Sequence, residues 1–93
     1  MDEERLWITF HDKNEVLHFV ADCCHYDSAI DVKLDRQITD AKSVMGMLLL
    51  QLEQPMEIVY DSYKEELGGY EEFRRQMLEE YDVRATLTGS SSL

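Results

Sequence analysis

Asp40-Ala41-Lys42-Ser43-Val44-Met45-Gly46-Met47 decides how the chain is read, because it sets a serine directly before a short apolar run. Serine at a helix start accepts a hydrogen bond from a free backbone N–H of the first turn. The positive end of the helix dipole also favours any anion placed there. Ser43 is therefore both a candidate N-cap and a candidate phosphate acceptor. The helix it opens extends to about Leu50, and Met45, Leu48, Leu49 and Leu50 cannot all reach one core from so short an element. Some of this apolar surface must face solvent or a partner. Met45 and one leucine are expected in the core, with Val44 and Leu48 the more exposed. Gly46 costs about 1 kcal/mol relative to alanine in a helix, which points to close packing against a neighbouring element.

Upstream, Ile30, Val32 and Leu34 alternate with Asp31 and Lys33, as in a strand with one buried face. Asp35-Arg36 is a tight turn into a short strand over 37–39, so the two strands form a hairpin. Nearer the N-terminus, Leu6, Ile8 and Phe10 alternate with Arg5, Trp7 and Thr9, leaving Trp7 on the more open face. Asp12 followed by Glu15 resembles a capping box. It opens an amphipathic helix through Val16, Leu17, Phe19, Val20 and Cys23 that ends near Cys24. Downstream, Pro55 stands at the start of a strand, where its missing donor is tolerated, with Met56, Ile58 and Tyr60 facing inward. Gly68-Gly69 separates a short helical turn over 64–67 from a helix beginning near Tyr70, in which Tyr70, Phe73, Met77 and Tyr81 recur at three- and four-residue spacing. The expected order is β-α-β-β-α-β-α. That order makes an α+β open-faced sandwich, a four-stranded antiparallel sheet with its helices on one face. The polar, aperiodic segment 84–93 reads as a disordered tail, which leaves one domain over 1–83.

The Ser43 segment resembles the Lys-Ser-Ile-Met-Gly segment of the HPr family, the small phosphocarriers of the bacterial sugar phosphotransferase system. Gln54-Pro55-Met56-Glu57-Ile58-Val59 is similar to the last turn and strand of that family, and Tyr26-Asp27-Ser28-Ala29-Ile30-Asp31-Val32 to its second strand. The resemblance implies the same element order, a kinase-modified serine at Ser43, and a patch at Val44, Met45 and Leu48 that docks partner proteins. It also implies a phosphocarrier histidine in a Gly-Ile/Leu-His-Ala-Arg-Pro loop. Here the chain departs, since the loop reads Phe10-His11-Asp12-Lys13-Asn14-Glu15-Val16, without the arginine or the proline. Counted back from Ser43 without a gap, Asp12 takes the histidine position, and His11 falls at the end of the strand. The arginine that helps engage transcriptional partners has no match, Lys13 and Asn14 being nearest.

Ninety-three residues suffice for one domain with a modest core. Nine Lys and Arg against 20 Asp and Glu give a formal charge of −11. With no basic face to neutralise phosphates, nucleic acid and anionic membranes are not expected as partners. No apolar run reaches the length of a membrane span, and Met1-Asp2-Glu3-Glu4 lacks the basic and apolar regions of a signal peptide, so a cytoplasmic protein is expected. Cys23 and Cys24 are adjacent and point in different directions on a helix, which excludes an intramolecular disulfide between them and reads as reduced thiols.

His18, Asp22 and His25 lie at i, i+4 and i+7 and, with Cys24, offer imidazole, carboxylate and thiolate ligands. A solvated polar face produces the same spacing, and the expectation is no metal and no cofactor. His11 and Asp12 read as a degenerate phosphocarrier loop, with Asp12 a helix cap and His11 an exposed residue. A phosphate on His11 lacks the N–H donors and arginine that would compensate it. No Ser-His-Asp set, phosphate loop or dinucleotide fingerprint occurs, so no enzymatic activity is expected. The expected function is that of an HPr-like regulatory or adaptor protein. It would bind protein partners, an HPr-kinase-like enzyme or a transcriptional regulator, through the Ser43 helix under control of Ser43 phosphorylation. A phosphate adds about 1.5 to 2 negative charges, so such a partner must supply Arg or Lys. Two alternatives remain open: a divergent phosphocarrier using His11, and an interaction module that is never phosphorylated.

Overall fold

The computed structural model describes residues 3–61 and 69–88; the helical turn expected over 64–67 lies outside them. Among the described residues the elements are β1 (Glu3–Thr9), α1 (Lys13–Cys23), β2 (Ala29–Leu34), β3 (Gln37–Asp40), α2 (Val44–Leu48), β4 (Pro55–Asp61), α3 (Gly69–Glu80) and β5 (Asp82–Thr88). They form an α+β fold around one antiparallel sheet in the order β3-β2-β4-β1-β5.

β5 corrects the sequence reading on two counts. The sheet has five strands rather than four, and 84–88, expected in a disordered tail, pair with β1 in a continuous register from Glu3↔Thr88 to Thr9↔Asp82. Residues 89–93 lie outside the described residues. The chain passes from α3 into β5 through Tyr81 alone, whose N–H closes the helix on the Met77 carbonyl at 3.1 Å.

Register explains which face is covered. Leu6 sits opposite Ile58, Ile8 opposite Met56, and Val32 opposite Ile58, so these side chains share one face. All are buried, and Val16, Phe19, Val20 and Cys23 of α1, Met47 of α2, and Phe73 and Met77 of α3 complete the same core. The intervening residues, Trp7 opposite Glu57 and Arg84, and Lys33 opposite Glu57, form the open face. There Trp7 donates its indole N–H to Thr86 Oγ1 at 2.9 Å, which ties β5 to β1 from the side away from the helices.

Local chemistry sets the element ends. Asp12 caps α1 by accepting from the Glu15 N–H at 2.8 Å, and Glu15 returns the bond by accepting from the His11 N–H at 2.7 Å. Asp35, at φ 55°, takes the left-handed conformation that the two-residue turn between β2 and β3 requires. α3 is fastened to β1 by Arg74, which donates through Nε and NH2 to both oxygens of Glu4 at 2.8 and 2.9 Å, with the Tyr70 hydroxyl adding a third bond at 3.2 Å. The Arg74 bond holds the Glu4 carboxyl below the usual carboxylate range.

Candidate functional site

Ser43 has extended backbone, φ −97° and ψ 108°, and its hydroxyl accepts from the Gly46 N–H at 3.3 Å. α2 begins immediately after it, so the serine occupies the N-cap position. Gly46 explains itself by proximity: a Cβ built there would stand 3.0 Å from Thr39 Cγ2 and 3.4 Å from Ser43 Oγ. β3 and α2 therefore approach more closely than alanine would allow without displacement.

The rotation of α2 differs from the expected split. Met47 and Leu50 turn into the core, Leu48 is half-buried against it, and Met45 and Leu49 stand 78% and 82% exposed. Val44 is exposed as expected. Met45 is thus surface rather than core, and Leu49 replaces Leu48 as the open leucine. The reason is length. Five helical residues make fewer than two turns, so only one flank of the element meets the sheet. α1 packs beside α2, and Leu17 of α1 is also exposed. Val44, Met45 and Leu49 thus leave three apolar side chains exposed within six residues of sequence.

Charge near Ser43 is already committed. Lys42 donates its ammonium to the Tyr26 carbonyl at 2.6 Å, and its backbone N–H goes to Asp40 Oδ1 at 2.9 Å. The loop after α2 turns at Glu53, a non-glycine residue at φ 65°, in a region that costs about 1–2 kcal/mol. Two contacts hold it there: the Glu53 N–H donates to the Phe10 carbonyl at 2.8 Å, and its carboxylate meets His11 Nδ1.

His11 is exposed, as expected, yet engaged on both sides. Nδ1 faces Glu53, and Nε2 lies 2.9 Å from Asp82 Oδ2 at the start of β5. The bonds to Asp82 and Glu53 raise the imidazole pKa above its ordinary value. A phosphoryl group on either nitrogen would have to displace a carboxylate and then lie beside two acidic groups. Asp12 is occupied as the α1 cap.

A second cluster joins α1 to the end of α3. The Tyr81 hydroxyl donates to Asp22 Oδ2 at 2.6 Å and lies 2.7 Å from His18 Nδ1. Burial, then the Asp22 contact, drives the Tyr81 hydroxyl pKa well upward. Hydrogen bonding with Asp22 raises the Glu80 carboxyl. Of the residues that sequence spacing grouped with His18 and Asp22, neither His25 nor Cys24 joins this cluster; both are exposed. Glu80 takes that place. Spacing along one helix finds neighbours on that helix and has no means of finding a partner from another. Cys23 is buried, which raises its thiol pKa.

On the open sheet face, Trp7, Thr9, Pro55, Asp82, Arg84 and Thr86 line a shallow hollow of about 380 Å³. None of the described helices is long and apolar enough to cross a membrane. Comparison with protein-family models, curated proteins and solved structures finds no match.

Proposed function

We propose that this chain is an HPr-like regulatory or adaptor protein that acts by binding other proteins through α2 and is controlled at Ser43. The observation that carries the reading is the exposure of Val44 and Met45 on the five-residue α2 and of Leu49 at its C-cap. Apolar side chains grouped at one end of a strongly acidic surface mark an interaction site, and the flexible thioether of Met45 suits a surface that accommodates more than one partner. The β-α-β-β-α-β-α order of the first seven elements is the order the HPr resemblance implies, with β5 as an addition. With a chain charge of −11 and Lys42 engaged elsewhere, phosphate on Ser43 acts as an anionic mark for Arg or Lys on the partner.

The carrier alternative is the weaker one, because His11 stands between Glu53 and Asp82 without a cationic partner among the described residues. Intact-mass spectrometry tests the proposal, after separate incubation with ATP plus HPr serine kinase and with phosphoenolpyruvate plus enzyme I. Phosphate mapped to Ser43 supports regulation at the cap. Phosphate on His11 transfers the reading to the carrier, and no added mass in either reaction removes control at Ser43 and leaves an unphosphorylated interaction module.

A further inference from the structure

α1 carries His18 and Asp22 one turn apart, and the fold brings Glu80, the last residue of α3, to the same face. His18 Nδ1 lies 3.6 Å from Asp22 Oδ2 and 3.7 Å from Glu80 Oε1, and one ligand atom from each of the three residues lies within 4.8 Å of the others. Nitrogen and oxygen ligands bound to a zinc ion at about 2.0–2.2 Å in tetrahedral geometry stand about 3.4 Å apart. His18 therefore needs to close by only a few tenths of an ångström on each carboxylate to share one ion with it, and all three ligand atoms already lie within 4.8 Å of one another.

We propose that His18, Asp22 and Glu80 bind a divalent transition-metal cation of the zinc class, leaving a fourth position open to water or to a partner's side chain. One imidazole and two carboxylates match such an ion in ligand type, and the two carboxylates balance its charge. Three features distinguish the site from an ordinary acidic surface. It contains an imidazole, its ligands come from two helices far apart in sequence, and Asp22 is largely enclosed, its side chain only 13% exposed. Tyr81, buried against Phe10 and Phe19, donates to Asp22 and fixes its orientation, as hydrogen bonds behind a ligating carboxylate do. When the ion binds, His18 Nδ1 exchanges its contact with the Tyr81 hydroxyl for the metal and any proton it carries is released to solvent, while Tyr81 keeps its bond to Asp22. His18, 60% exposed, leaves the entry open.

Zinc titration of the full chain by calorimetry, with histidine ring signals followed by NMR, tests the site. The exposed thiol of Cys24 also attracts zinc, so Cys24→Ser is the background for every variant. The expected result is saturable one-to-one binding in which the His18 ring signals move and those of His11 and His25 do not. His18→Ala and Glu80→Gln should each weaken it at least tenfold while the metal-free protein keeps its circular dichroism spectrum. The proposal is overturned by the absence of saturable binding in the Cys24→Ser protein, by unchanged affinity in His18→Ala, or by ring shifts confined to His11 or His25.

Discussion

Met45 and Met47 lie two residues apart on α2, and their fates test its orientation. Met47 is fully buried, so Met47→Ala removes core contacts and leaves a cavity, a loss of about 2–5 kcal/mol. For a chain of this length total stability is about 5–14 kcal/mol, so the variant loses a large share of it. At about 4–8 °C per kcal/mol the melting temperature should fall by about 10 °C or more. Met45 is 78% exposed, and Met45→Ala should stay within about 0.5 kcal/mol of the parent, a shift of at most about 4 °C. Paired thermal and urea melts followed by circular dichroism measure both. Equal losses would mean that α2 is turned differently on the sheet, and the proposed docking patch would go with it. The same geometry selects the binding variants. Met45→Glu and Leu49→Glu charge open surface, whereas Leu48→Glu brings a carboxylate against the core and confounds binding with stability.

Ser43→Ala should cost about 1 kcal/mol through loss of the cap to the Gly46 N–H; an unchanged urea midpoint would remove the cap assignment. Gly46→Ala should fail to deliver the roughly 1 kcal/mol that helix propensity offers, because Thr39 Cγ2 stands in the way and Thr39 is buried. Thr39→Ser should restore that gain when combined with it, and additive effects of the two changes would refute the close contact. His11 has a folded pKa raised above 6.5, so its contacts stabilise the fold fully below that value and the contribution disappears as pH rises through the folded pKa. An NMR titration midpoint for the ring at or below 6.5, or melting curves of wild type and His11→Gln that run parallel from pH 6 to 9, would contradict it.

Much of the fold was legible where structure is local. Asp12 and Ser43 announced their caps because a short oxygen-bearing side chain before an apolar run has few other tasks. Strict alternation gave β1, β2 and β4 with their buried faces. β5 was not legible, since its core-side positions after Val83 are Ala85 and Leu87, both left exposed. Val83, Ala85 and Leu87 alternate with Arg84, Thr86 and Thr88, but a pattern of one half-buried and two exposed apolar positions is weak; the strand is held by backbone pairing with β1 and by the Trp7 bond to Thr86, neither of which marks the sequence. The turn of α2 was hidden for the opposite reason. With apolar residues at nearly every position, no periodicity distinguishes Met45 from Met47, and only the direction of the chain leaving β3 decides.

The segment that sequence undervalued controls the environments of His11 and His18. Tyr81 ends α3 and places its hydroxyl between His18 and Asp22; Asp82, the next residue, opens β5 and closes on His11 Nε2. A chain that stopped after α3 would leave His11 with Glu53 alone and one ring nitrogen open. Pairing β5 to β1 fixes Asp82 opposite Thr9, two residues before His11, so β5 places a carboxylate on Nε2 that a phosphoryl group there would have to displace. Residues 10–16 contain no arginine, and β5 brings a carboxylate to the imidazole, so loop composition and strand pairing act in the same direction. Both disfavour a phosphate at the end of β1, whereas Val44 and Met45 of α2 remain unburied.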